Sequence, residues 1–80
     1  MAFTYYVVMR DFGRRGREAI VDPELTRANI VDLIRSKNYT DILFIHAISE
    51  EADPTGPWIT YLHVIDVTHE IMKDAGLADV

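Results

Sequence analysis

Ile42-Leu43-Phe44-Ile45-His46-Ala47-Ile48 is the stretch on which the fold turns. Seven residues are too few for a buried helix, and the run is apolar without alternation, so it reads as a strand covered on both faces at the centre of a sheet. Downstream, residues 49–57 hold three acids, two prolines and a glycine, the composition of a solvated loop. Residues 58–65 read as the next strand. A short helix over 69–75 then closes the chain, with Thr68 as its cap, Val67 stapled against Met72 and Gly76 as its stop.

Upstream, Thr4 to Met9 is rich in aromatic and β-branched residues and reads as a strand. Glu18 to Val21 is its return, ended at Asp22-Pro23 because proline donates nothing to a sheet ladder. Between them, Phe12-Gly13-Arg14-Arg15-Gly16 has two glycines that supply the positive backbone angles of a hairpin loop. A helix follows over 27–36, with Thr26 as N-cap and Leu25 and Ile30 as a hydrophobic staple; an earlier start with Asp22 as cap and Pro23 in the first turn is the alternative. Arg35 and Lys37 suit the negative pole of that helix, and Asn38 is the residue expected in the left-handed conformation that ends it.

The elements fall into the order ββαββα. Short connections favour antiparallel neighbours, so the expected fold is α+β: one domain over residues 1–80, a four-stranded, mainly antiparallel sheet, and two helices packed on one face. The halves 3–37 and 42–77 repeat the same order, and Leu25-Thr26 matches Val67-Thr68 in capping pattern, which raises an internal repeat as a reading.

Composition bounds the function. Eighty residues with 49% hydrophobic and 26% charged side chains fold as one small domain whose own core is thin, which favours self-association. The chain has no cysteine, which excludes disulfides, thiolate metal sites and thiol catalysis and points to a cytoplasmic setting. No apolar run approaches the ~20 residues of a membrane helix, so no membrane is expected as partner.

Charge is sharply uneven in this chain of net -5. Residues 10–17 contain Arg10, Arg14, Arg15 and Arg17, four of the eight basic side chains. Residues 1–37 carry seven basic and five acidic groups, a formal +2, whereas residues 38–80 carry one basic and eight acidic groups, a formal -7. A basic hairpin tip on an acidic body suits an acidic protein surface as partner, including a neighbouring copy. Nucleic acid is the second reading for the same arginines, disfavoured because the acidic remainder repels further phosphate contacts. The two loop glycines also suggest an anion nest.

Two other groups of residues deserve the same weighing. Tyr5, Tyr6, Trp58 and Tyr61 fall on predicted strands and divide between core packing and a self-association interface on a sheet with one uncovered face. His46, His63 and Asp66 are candidates for an enzyme or metal site, which depends on whether the strand register brings them to one face. Their spacing matches no metal or catalytic motif, nothing surrounds Ser36 or Ser49 to make a nucleophile, and no cofactor is expected. The expected function is thus a small non-enzymatic interaction module.

Overall fold

In the computed structural model, which describes residues 2–52, 55–56 and 59–77, the order is ββαββα. The strands are β1 (Ala2–Asp11), β2 (Arg17–Val21), β3 (Ile42–Ala52) and β4 (Ile59–Asp66), and the helices are α1 (Arg27–Arg35) and α2 (Thr68–Asp74). The four strands form one antiparallel sheet in the order β2-β1-β3-β4. The stretch 42–48 therefore lies in an interior strand, as its apolar character requires.

The register fixes which side chains share a face. Val8 stands opposite both Ile20 and Ile45, and these three point toward the helices. With Ile30 and Ile34 from α1, and Val67, Ile71 and Ala75 around α2, Val8 and Ile45 form the buried core, while Ile20, Tyr6 and Ile42 pack on its margin. A three-residue step between Ile42 and Ile45 keeps both on this face because β3 carries one extra residue opposite Met9 and Arg10. The extra residue is Leu43, left 43% exposed, as a bulge leaves its surplus position.

Helix α1 begins as its sequence dictates. Thr26 Oγ1 accepts from the Asn29 amide at 3.1 Å and Asn29 Oδ1 accepts from the Thr26 amide at 3.2 Å, a reciprocal capping box. Its end differs from expectation: Lys37, not Asn38, takes the left-handed conformation (φ 67°). Lys37 N–H donates to the Ile34 carbonyl, and Asn38 instead uses its side-chain amide to hold Ser36 Oγ at 2.8 Å.

Helix α2 also starts differently. The cap position belongs to Val67 and has no side-chain cap bond, because the Thr68 hydroxyl is turned to the sheet. Thr68 Oγ1 accepts from the Ile45 amide at 2.7 Å and donates to Asp66 Oδ1 at 2.6 Å. Val67 N–H donates to the Ile45 carbonyl, so Thr68 satisfies the adjacent β3 amide where the ladder stops. The equivalent of Thr26 in the second half is therefore Val67, and the buried pair Ile30/Ile34 corresponds to Ile71/Ala75. At the other end Gly76 (φ 79°) stops α2 with its amide on the Lys73 carbonyl and the Leu77 amide on Met72, the paired bonds of a Schellman motif.

Strands outrun helices. β3 continues four residues past Ile48 into what reads as loop, because Ser49, Glu50 and Glu51 pair with β1 on one side and β4 on the other. At 1.5 Å per helical residue α1 and α2 are about 14 and 10 Å long, whereas a ten-residue strand spans about 33 Å. The Cα radius of gyration is 14.3 Å, above the about 12 Å typical of a compact chain this size. The helices also leave the outer strand uncovered on their own side, where Ile65 of edge strand β4 is 60% exposed.

Ile45→Ala should lower unfolding free energy by about 2–5 kcal/mol, since Ile45 is fully buried where both helices meet the central strands. Exposed Thr40→Ser should stay within about 0.5 kcal/mol. Urea titration of both variants checks the difference.

Candidate interaction surfaces

The arginine tip is a five-residue loop closed by its own backbone. Phe12 N–H donates to the Gly16 carbonyl at 2.9 Å, Gly16 N–H donates to the Gly13 carbonyl at 3.0 Å, and residues Gly13–Arg15 make one 3-10 turn. Gly13 and Gly16 have φ of 67° and 97°, which a side chain would strain. The glycine amides do not form an open anion nest: Gly13 N–H is taken by Asp11 Oδ1 at 2.9 Å and Gly16 N–H by Gly13.

The four arginines separate by environment. Arg10, only 15% exposed, bonds Glu18 at 3.1 Å and the Thr40 carbonyl at 2.9 Å, and its guanidinium lies 4.6 Å from the Phe12 ring centre and 5.7 Å from that of Tyr39. It anchors the hairpin to the start of β3. Arg17 pairs with Asp11 at 3.4 Å and remains 64% exposed. Arg14 and Arg15 are exposed, and among the described residues neither forms an ion pair. Two uncompensated charges thus stand at the tip.

The face of the sheet away from the helices is largely apolar. Cross-strand rows on it read Ala19-Met9-Phe44, Val21-Val7-His46-Asp66 and Tyr5-Ile48-Val64, with Leu62 beside Glu50 beyond them and Arg17 beside Asp11 at the opposite end. No element of the described chain covers it, and Val21, Leu62 and Val64 are 54–57% exposed. The expectation that β3 is covered on both faces therefore holds for the helix side only. Phe44 and His46 stack on the open side with ring centres 4.0 Å apart.

The aromatic residues do not make one patch. Tyr5 lies on the open face, where desolvation first, and then the charge and hydrogen bond of Glu50, push its hydroxyl above the usual tyrosine range. Tyr6 points the other way and packs against the core. Tyr61 sits in β4 opposite Glu51, and Trp58 lies outside the described residues.

Register also separates the histidines. His46 pairs with Asp66, but His63 pairs with Ser49, three residues from Asp66 and on the helix side. His63 there lies 3.7 Å from Glu51. The three residues do not converge, and among the described residues no group of three metal-ligating side chains exists. Asp66 is instead a local device: its Oδ1 accepts from both the amide and the hydroxyl of Thr68, which, with a smaller contribution from neighbouring His46, lowers its pKa.

No protein-family model, curated protein or solved structure matches the chain. Among the described residues, no helix is long and apolar enough to cross a membrane.

The lowered Asp66 pKa has a definite sign. A carboxyl whose native pKa is depressed adds stability above its ordinary value of about 4, and that contribution disappears as pH falls through the native value. Asp66→Asn should therefore melt below wild type at pH 7, and the gap should close by about pH 2. Thermal denaturation of both proteins across that range measures it.

Proposed function

We propose that this protein is a small non-enzymatic interaction module that self-associates through the open face of its sheet and offers Arg14 and Arg15, beside the Asp11-paired Arg17, to an acidic protein surface. The observation that carries the reading is the uncovered apolar face, Val7, Met9, Phe44, Ile48, Leu62 and Val64, on a protein with seven buried core residues among those described. Contiguous exposed apolar surface marks association sites, and a second sheet packed about 10 Å away would supply the missing layer. A cytoplasmic setting belongs to the same reading, supported by the cysteine-free sequence.

The arginines favour a protein partner over nucleic acid because Arg10 and Arg17 are engaged by Glu18 and Asp11, which leaves two uncompensated charges. Duplex binding with steep salt dependence draws on more phosphate contacts than that.

Sedimentation at micromolar concentration should give a dimer or larger species for the wild type. Val64→Glu, which places a carboxylate on the open face at a side chain 57% exposed in the single chain, should give a folded monomer; a wild-type monomer at all concentrations would refute the reading. A low-salt titration with mixed DNA and RNA should show no Arg14-dependent or Arg15-dependent binding.

A further inference from the structure

Charge and sheet geometry together say how two copies fit and what the arginine tip touches. On the open face, Val7 and His46 stand side by side at mid-sheet. Four residues from Val7 in one direction lies Asp11, where the basic loop begins; four residues from His46 toward the same opposite end lies Glu50. At 3.3 Å per residue each is about 13 Å from the middle. Asp11 and Glu50 are therefore at opposite ends of the open face and equidistant from its centre, and Arg14 and Arg15 lie in the turn beyond Asp11.

Resting on the self-association reading, we infer that the acidic partner of the arginine tip is a second copy of this chain, stacked face to face with its strands antiparallel. The twofold axis crosses the strands at the level of Val7 and His46. This places Met9 and Phe44 of one copy over Tyr5 and Ile48 of the other, so apolar side chains of the two central strands meet apolar side chains. It also brings the loop end of each copy, with Arg14 and Arg15, to the Glu50 end of its neighbour, giving the contact twice. Parallel stacking would instead set the two basic tips side by side and the two acidic ends together, which like-charge repulsion opposes. The apolar face supplies the attraction; the charged ends select its orientation. Glu50 is the one acidic side chain of the described residues at that end of the open face.

Charge exchange tests the arrangement. One variant carries Arg14→Glu and Arg15→Glu, the other Glu50→Lys and Glu51→Lys, with circular dichroism confirming that each folds. Each alone should dimerise at least tenfold more weakly than wild type at low salt, while an equimolar mixture should recover a heterodimer near wild-type affinity, because both contacts are again between unlike charges. Association of the wild type should weaken as salt rises. If the wild type dimerises and Val64→Glu abolishes the dimer, but the two variants each dimerise like wild type or fail to recover on mixing, the face-to-face reading survives and this orientation is wrong. A monomeric wild type removes both.

Discussion

The pairing of β1 with β3 joins residues 32 to 49 positions apart, from Arg10–Ile42 at one end to Ala2–Glu51 at the other. The two ββα halves meet along this seam. β2 pairs only with β1 and β4 only with β3, so each half contributes one edge strand and one central strand. Val8 and Ile45, opposed across the seam and fully buried, provide the floor on which both helices rest. The helices in turn meet through Arg27, which reaches Asp74 at 2.8 Å and Glu70 at 3.5 Å. That bond to Asp74, with the nearby charges, raises the guanidinium pKa further, but the groups are well exposed and such pairs add little. Apolar contact at the seam dominates.

Much of this was legible in the chain. The continuous apolar run at 42–48 gives an interior strand, the glycines at 13 and 16 give the hairpin tip, and Thr26 as N-cap gives the first helix, because each signal is local and acts where it is written. What escaped was set by partners distant in sequence. Glu50 and Glu51 belong to a strand only because β1 and β4 flank them, and composition alone reads them as loop. Thr68 looks like a cap, yet the Ile45 amide 23 residues earlier claims its hydroxyl. Whether His46 and His63 share a side depends on register, which a one-residue shift reverses. The open face was half visible: the apolar character of both alternating sets in β3 announced two buried sides, but the chain has helices for one.

The arginine cluster changes meaning once its members are placed. A run of four cations in eight residues suggests one uniform basic surface, but Arg10 is folded inward between two rings and a carboxylate, and Arg17 is paired on the sheet. Their neighbours Asp11 and Glu18 account for both. The remaining charge is concentrated on two residues at one extremity of an elongated molecule, and that suits orientation better than it suits adhesion. Electrostatics of this kind governs how surfaces meet more than how strongly they hold.

The crossed order of the strands has a consequence during synthesis. β1 and β2 leave the ribosome as a hairpin, but the far side of β1 has no partner until β3 follows, about 30 residues later. At bacterial or eukaryotic elongation rates of about 5–20 residues per second, the nascent chain carries an unpaired aromatic and β-branched strand edge for about 1.5–6 s. The short β2, closed by Asp22-Pro23, and the charged turn beside it blunt the other edge during that interval. During that interval the open edge of β1 is the part of the chain available to a strand other than β3.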